Sequence, residues 1–503
     1  MNPAETFRKS AAVLVVREGA ARPQVLPQVL PQVLLVQRAP QLRFFGGYWA
    51  FPGGVLDDES ESFGHAAARE LFEETGLLVK DWDALVPSAD RAQLRRDLLS
   101  EQESPAWQAL LRPQPDPPAL HRLGAMRTPA FAPVRYHTEF FLYRVGADAR
   151  AEILPGELSQ GEFVDPEEAL EQWRRGERLI VPPVRTLLEM FVAWGPDRFL
   201  AEVPERLAQY LAGRIPPIAN SPGVCLVPLR TPTIPPATTT NHYLVGEREL
   251  YLVDPGTPYA SEQGALIGFL EERIALGSKL RGILLTHQHH DHVGGLEAIE
   301  RHFQVPVHAH PHTLAELAGR IQTPLPLNDG DRIDLGVAPD GSEDWHLKVV
   351  HTPGHAAGHL VFHESRYGTL IGGDLASTVS TIVIEPPEGH LATYLASLRK
   401  AIELGPTLFY PAHGPVARDG VALLRGYLTH RALREARLAE ALRKGGVWSP
   451  GALVPEVYPE LDARMAGLAE QSLWAGLIKL QEEGLAQLGE LGWSWRGSLP
   501  APG

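Results

Sequence analysis

Hydrophobic and polar positions change period several times along the chain. Ser10-Ala-Ala-Val-Leu-Val-Val16 is a short continuous apolar run and predicts a buried strand. The tetrapeptide Pro-Gln-Val-Leu then stands three times in succession, from Pro23, Pro27 and Pro31. Proline at every fourth position forbids a regular helix and weakens a strand, so this stretch predicts a surface-loop insertion. Asp81 to Thr128, rich in Arg, Gln, Leu and Pro, predicts a helical insertion between strands. Tyr136 to Val145 alternates aromatic and polar residues as a strand does, whereas Glu167 to Trp173 and Val184 to Trp194 have helical spacing. The pattern breaks around Ile215-Pro-Pro-Ile218 and Pro222-Gly223, which places a linker over 203–222.

From Val224 onward, apolar strands alternate with turns, Leu250 to Val253 and Gly282 to Leu285 being two of them. After His413-Gly414-Pro415 the character changes again. Val421 to Lys444 predicts a long helix, Leu453 to Val457 and Ala463 to Glu483 two more, and Leu485 to Trp495 a short hairpin. Three helices and a small hairpin outline a winged-helix module. The division that follows is a first domain over 1–202, a linker over 203–222, a second domain over 223–420 and a C-terminal domain over 421–503. A chain of 503 residues is long enough for two to four domains.

Composition narrows the chemistry. Cys225 is the one cysteine, so no intramolecular disulfide and no thiolate-rich zinc site can form. Any metal must be held by histidine and carboxylate, and the 20 histidines cluster in places. The net charge of −15 argues against a broad electrostatic grip on duplex nucleic acid. No apolar run reaches the ~18–20 residues that span a bilayer, and Met1-Asn2-Pro3-Ala4-Glu5 lacks the pattern of a signal peptide. These features lead to an expectation of a cytoplasmic protein without a membrane partner.

The first candidate site lies between Gly54 and Leu77. Ser62 can cap a helix start and Gly76 stands where a C-terminal glycine belongs. Glu70, Glu73 and Glu74 then share one helix face, where they repel each other unless a hard divalent cation such as Mg²⁺ binds. Arg69 can tie one of them in place. The run Glu61-x7-Arg69-Glu70-Leu71-x-Glu73-Glu74-x-Gly76-Leu77 resembles the Nudix box, with six residues rather than five between Gly54 and Glu61. The resemblance implies Mg²⁺ or Mn²⁺ on Glu70, Glu73 and Glu74, and diphosphate hydrolysis in which Glu73 or Glu74 takes a proton from water. Upstream, Leu34-Leu-Val-Gln-Arg38-Ala39, Arg43, Gly47 and Phe51-Pro-Gly-Gly54 resemble the pattern of coenzyme A-cleaving Nudix enzymes, with Val36 in place of threonine. That implies substrate contacts from Arg38, Arg43 and Gly54.

The second candidate site gathers residues from distant motifs. Thr286-His287-Gln288-His289-His290-Asp291-His292 follows a strand, and Thr352-Pro-Gly-His355, Gly372-Gly-Asp374 and Pro411-Ala-His413-Gly414 come later. Imidazole and carboxylate at such density suit Zn²⁺. The ordered set resembles the metallo-β-lactamase superfamily. The resemblance implies one zinc on His287, His289 and His355, a second on Asp291, His292 and His413, and Asp374 bridging them, with Asp254 orienting a ligand histidine. Asp291 counts both as ligand and as part of the catalytic set, since two such cations acidify a water. Asn241-His-Tyr-Leu-Val245 and Asp254-Pro-Gly256 resemble glyoxalase II-like thioesterases. His430-Arg431-x-x-Arg434-Glu435-Ala-Arg437 and the helices after it resemble the winged helix of the beta-lactamase-like endoribonucleases.

The fold class expected is therefore a multidomain α/β and α+β chain: a Nudix α/β/α sandwich, a metallo-β-lactamase αβ/βα sandwich and a winged-helix module. The expected function is a bifunctional metal-dependent hydrolase. It would act on a nucleoside diphosphate or coenzyme A-type molecule and on a phosphodiester or thioester. The alternative is a ribonuclease on single-stranded RNA with a nucleotide-sensing Nudix domain. Homo-oligomerisation is compatible with either.

Overall fold

The computed structural model describes residues 7–18, 30–42, 44–100, 104–461 and 465–496. The chain divides into two compact units, Met1–Cys225 and Leu226–Gly503.

The first unit runs β1 (Arg8–Arg17), β2 (Gln32–Arg38), β3 (Trp49–Ala50), β4 (Gly53–Val55), α1 (Phe63–Thr75), α2 (Lys80–Asp83), α3 (Ser88–Leu99), a π-helix (Trp107–Leu111), β5 (His121–Arg127), β6 (Tyr136–Val145), β7 (Leu158–Val164), α4 (Pro166–Arg174), α5 (Pro182–Leu211) and β8 (Ile218–Ser221). Its main sheet has the order β3-β2-β1-β6-β5, with β4 antiparallel to β1 and β7 antiparallel to β2. β1 is apolar on both faces because both faces are covered. Val13 and Val15 pack with α1, α2 and the π-helix through Leu71, Phe72, Trp82 and Trp107. Leu14 and Val16 pack with α4 and α5 through Leu170, Leu187 and Phe191. This is the α/β/α sandwich.

Three expectations are corrected in this unit. Residues 121–127, placed in a helical insertion, form β5 and pair with β6. Of the tetrapeptide run, 23–29 lie outside the described residues, but the third copy is not loop: Val33 and Leu34 are buried in β2. Pro31 precedes the ladder and so removes no hydrogen bond from it. Residues 203–211, assigned to a linker, complete α5, and 218–221 form β8. The breaks at Ile215-Pro-Pro-Ile218 and Pro222-Gly223 fall around β8 rather than in a linker, and α5 itself divides into two helical segments at Gly195 (φ 71°).

β9 (Val224–Arg230) carries the chain into the second unit. There follow β10 (Thr239–Val245), β11 (Glu249–Val253), α6 (Ala260–Ala275), β12 (Lys279–Leu284), α7 (His290–Val293), α8 (Leu296–Phe303), β13 (Val307–Ala309), α9 (Pro311–Glu316), β14 (Pro324–Pro326), β15 (Arg332–Gly336), β16 (Trp345–His351), β17 (Leu360–Glu364), β18 (Thr369–Gly373), α10 (Leu391–Glu403) and β19 (Leu408–Pro411). One sheet has the order β14-β13-β12-β11-β10-β9 and the other β15-β16-β17-β18-β19. The tail adds α11 (Gly420–Arg443), α12 (Pro450–Val457), α13 (Ala466–Glu482) and the hairpin β20 (Ala486–Gly489) with β21 (Gly492–Trp495).

α11 belongs to two cores. Its first turns bury Leu424 and Tyr427 with Phe409 and Tyr394, and its last turns bury Leu438 and Leu442 with Leu453, Leu477 and Trp493. A boundary at residue 421 therefore falls where one helix begins to serve both.

Candidate metal centres

The first cluster is built on α1. The Ser62 hydroxyl accepts the His65 N–H at 3.1 Å, and Gly76 ends the helix at φ 72°. Arg69 lies buried beneath the carboxylate face. Its guanidinium meets Glu61 at 3.0 Å, Glu70 at 2.9 Å, Glu73 at 3.4 Å and Asp57 at 3.2 Å. Asp57 N–H donates to Glu61 at 2.7 Å, so the loop with the extra residue closes onto Arg69 through both carboxylates. Glu74 accepts the Gly53 N–H at 2.9 Å. A Cβ on Gly54 would fall 2.3 Å from the Glu70 carboxylate and would have to displace it from its present position.

Asp57, Glu61, Glu70 and Glu73 thus surround one guanidinium, and Glu74 stands beside Glu70 on the same helix. Burial pushes the Glu70 carboxyl up to about 8, against Arg69 and aided by Glu73. Burial and then Glu70 push Glu74 well up, against the Gly53 N–H and Arg38. This excess of buried oxygen donors suits a hard divalent cation. Arg38 donates to the Phe44 carbonyl at 3.2 Å. Arg43 lies outside the described residues.

The second cluster forms where strands end. His287, His289, Asp291 and His292 follow β12, Asp254 follows β11, Asp374 follows β18, His413 follows β19, and His355 sits in the β16–β17 turn. The hydrogen bonds decide which nitrogens face inward. Thr286 Oγ1 donates to Asp254 at 2.6 Å and accepts from His287 Nδ1 at 2.9 Å. His292 Nδ1 donates to Asp254 at 2.8 Å, His355 Nδ1 to the Val383 carbonyl at 2.9 Å and His413 Nδ1 to the Thr239 carbonyl at 3.1 Å. All four rings therefore aim Nε2 at a common centre.

There His287 Nε2 and His355 Nε2 each lie 3.0 Å from His289 Nδ1. Asp374 stands between the two halves of the site, 3.4 Å from His355 Nε2 and 3.3 Å from His413 Nε2. Asp291 is 3.4 Å from His413 Nε2. The donor atoms fall into three overlapping groups: His287, His289 and His355; His287, His292 and Asp374; Asp291, His292 and His413. Burial pushes His355 down to about 4 and His287 well below the usual imidazole range, so both are held neutral. Burial also opposes charge on His292, but Asp254 and Asp291 outweigh it and raise that ring to about 10.

The description "Metallo-beta-lactamase superfamily" matches residues 235–413, "NUDIX domain" matches 7–182 and "Beta-lactamase associated winged helix domain" matches 449–493. The chain is 30% identical over 254 residues to the "Beta-lactamase-like protein 2 homolog" of Caenorhabditis elegans, covering 49% of this chain and 80% of that one. The chain belongs to the metallo-beta-lactamase superfamily, with a NUDIX domain fused ahead of it. It is also 36% identical over 172 residues to "Hydroxyacylglutathione hydrolase" of Aeromonas hydrophila, covering 33% of this chain and 58% of that one. It is 31% identical over 207 residues to "Atrochrysone carboxyl ACP thioesterase" of Aspergillus fumigatus, covering 41% of this chain and 44% of that one. Among solved structures, a metallo-beta-lactamase family protein from Thermus thermophilus aligns with TM-score 0.45 and 26% identity over 55% of this chain and 99% of that one.

Both halves are hydrolase families that bind divalent metals, so the chain is a hydrolase carrying two metal-dependent domains. The metallo-beta-lactamase half fits a metal pair on its own atoms. Three imidazole lone pairs converge on one point. His292 Nε2 and Asp374 Oδ1 are buried without a hydrogen-bond partner among the described residues. The other histidines of the motifs do not join. His290 is exposed, and His351 Nε2 bonds the Ala357 carbonyl at 2.9 Å. His359 is buried and accepts the Asp374 N–H at 3.1 Å, fixing the backbone of the residue between the two metal positions. Asp57, Thr286 and Glu388 join these clusters without being marked in the sequence as site residues. Thr286 abuts the histidine run and could have been found there. Asp57 lies at an unspecified spacer position between Gly54 and Glu61, and Glu388 belongs to no motif. No helix of the described residues is long and apolar enough to cross a membrane.

Proposed function

We propose that the metallo-beta-lactamase half hydrolyses a thioester and the NUDIX half a diphosphate, and that a coenzyme A-type thioester is substrate for both. The observation that carries the reading is the convergence of the His287, His289 and His355 lone pairs with Asp374 at their side. Two Zn²⁺ bound there, and Mg²⁺ or Mn²⁺ on Glu70, Glu73 and Glu74, would supply Lewis acidity and an acidified water.

The remaining work falls to the chain. Asp254 and Thr286 hold His287 and His292 in one tautomer each. Asp374 lies between the halves of the site, and Asp291 with His413 closes the second. In the NUDIX half Arg69 keeps Glu70 and Glu73 side by side, and Glu73 or Glu74 takes the proton of the attacking water. The thioester choice draws on two relatives named as a hydroxyacylglutathione hydrolase and an acyl carrier thioesterase. The diphosphate choice draws on the NUDIX match and on Arg38 beside the carboxylates.

A second reading, phosphodiester cleavage in single-stranded RNA, has one observation in its favour. His430, Arg431, Arg434 and Arg437 crowd one stretch of α11, and the His430 imidazole is pushed down by burial and then by the three arginines. Cations that repel each other suit a polyanion. The deciding experiment incubates the full chain with acyl-coenzyme A, with Zn²⁺ and Mg²⁺ present. Water added at the thioester releases free thiol and carboxylate. Water added at the diphosphate releases 3′,5′-ADP and the acylated phosphopantetheine fragment. Appearance of both product pairs is expected. Neither appearing, with an RNA oligonucleotide cut instead, would replace the thioester reading by the second.

A further inference from the structure

His289 differs from the other four histidines of its site. They present Nε2 inward and spend Nδ1 on an acceptor, whereas His289 presents Nδ1 and turns Nε2 outward. What Nε2 meets is Glu388, whose Oε2 lies 3.5 Å away. Glu388 comes from a loop a hundred residues later in the chain. Its other oxygen accepts from the Gln288 amide, and Thr313 Oγ1 donates to Gln288 Oε1 at 3.4 Å, so both sides of the carboxylate are held.

The loop itself is tied at several points. It receives His355 Nδ1 on the Val383 carbonyl, and His390 N–H donates to the Gly354 carbonyl at 2.8 Å. From the tail, Tyr427 OH donates to the Ser380 carbonyl at 2.8 Å, Arg431 donates to the Ile382 carbonyl, Gln471 donates to Glu385 at 2.8 Å, and Glu482 meets His390 at 2.9 Å. One loop thus touches two of the three nitrogen donors of the first metal position and is fastened to α11 and α13.

We infer that Glu388 is a positioning residue for the first cation: it holds the Nε2–H of His289 and so fixes Nδ1 toward His287 and His355. A carboxylate behind a ligand imidazole selects the tautomer and strengthens the donor, and its loss typically costs ~10–100-fold in metal affinity. The inference rests on the two-cation reading above, and the test separates the two.

Full-length chain is loaded with Co²⁺ or Zn²⁺, and each variant is titrated with a competing chelator while the Co²⁺ ligand-field spectrum is followed. With excess Mg²⁺ present to occupy the carboxylates of α1, wild type is expected to hold two ions at the histidine cluster. Glu388→Ala is expected to release one of them ~10–100-fold more readily, with an altered spectrum for that ion and the other unchanged. Glu388→Gln keeps a hydrogen-bond acceptor without the charge and should fall between. It also serves if the alanine variant does not fold. Equal affinities and spectra in wild type and Glu388→Gln, or equal weakening of both ions, would overturn the role of Glu388 alone. A wild-type chain that binds no ion at His287, His289 and His355 would overturn the metal reading and this inference together.

Discussion

At the scale of single residues, the second unit depends on imidazoles whose protonation state is fixed by their surroundings. His242 shows this away from the metal positions. It is buried, its Nδ1 faces the Thr240 carbonyl at 2.9 Å, and its Nε2 accepts the Gly256 N–H at 2.9 Å. Nε2 can accept only while unprotonated, and burial pushes the ring down to about 4. The unfolded chain therefore binds a proton near pH 6.5 that the folded chain refuses until about pH 4. Stability from this residue is complete above pH 6.5 and is lost as pH falls through that window, by about 3 kcal/mol at the lower end. Denaturant unfolding at pH 7, 6 and 5 is expected to show wild type losing stability with acid. His242→Asn should start lower at pH 7 and fall less steeply, by about one proton's worth of slope. Parallel slopes would show that His242 is not held neutral.

At the scale of elements, α1 is the part of the NUDIX half that everything else positions. Its start was legible from Ser62 and its end from Gly76, because caps are local and their side chains are named in the sequence. What supports its last turn was not legible. Arg95 reaches across from α3 and donates to the Glu73 carbonyl at 2.9 Å and to the Glu74 carbonyl at 2.9 Å. These are helix-end carbonyls without partners inside the helix. Nothing near residue 95 signals that contact, which exists only once α3 packs on α1. Arg95→Leu is expected to destabilise the first unit by ~2–3 kcal/mol and to weaken Mg²⁺ binding at Glu70, Glu73 and Glu74. Thermal unfolding with and without Mg²⁺ measures both, and an unchanged midpoint would refute the role given to Arg95. The same division holds more widely. Strands β1, β6 and β11 were readable because two-sided burial or alternation marks them along the chain. β5 was not, since His121-Arg-Leu-Gly-Ala-Met-Arg127 is polar at three of seven positions without alternating, and pairs through β6. The second segment of α5, past the kink at Gly195, was read as linker, and it is the packing of Phe199, Val203 and Leu207 that makes it part of the core.

At the scale of the whole molecule, the two halves have separate cores and separate donor sets, each built from motifs that the sequence displays in order. That is why the pairing of domains was legible, while Asp57, at a variable spacer position, and Glu388, in a loop without a motif, were not. Separate sites predict separable activities. Glu74→Gln is expected to lower diphosphate hydrolysis by ~10²–10⁴-fold and to leave thioester hydrolysis at the wild-type rate. Asp374→Ala is expected to do the reverse. A folded variant that lost both activities would show that the halves do not work independently.

The double membership of α11 bears on how such a chain can shorten. Ending it at Asp419 would not leave a finished catalytic sheet behind. It would strip Leu424 and Tyr427 from the layer against Phe409 and Tyr394, and would leave the Ser377 and Ser380 backbone without the tyrosine hydroxyl that bonds it. A compact descendant would have to supply a replacement cover for that surface before it could discard the tail.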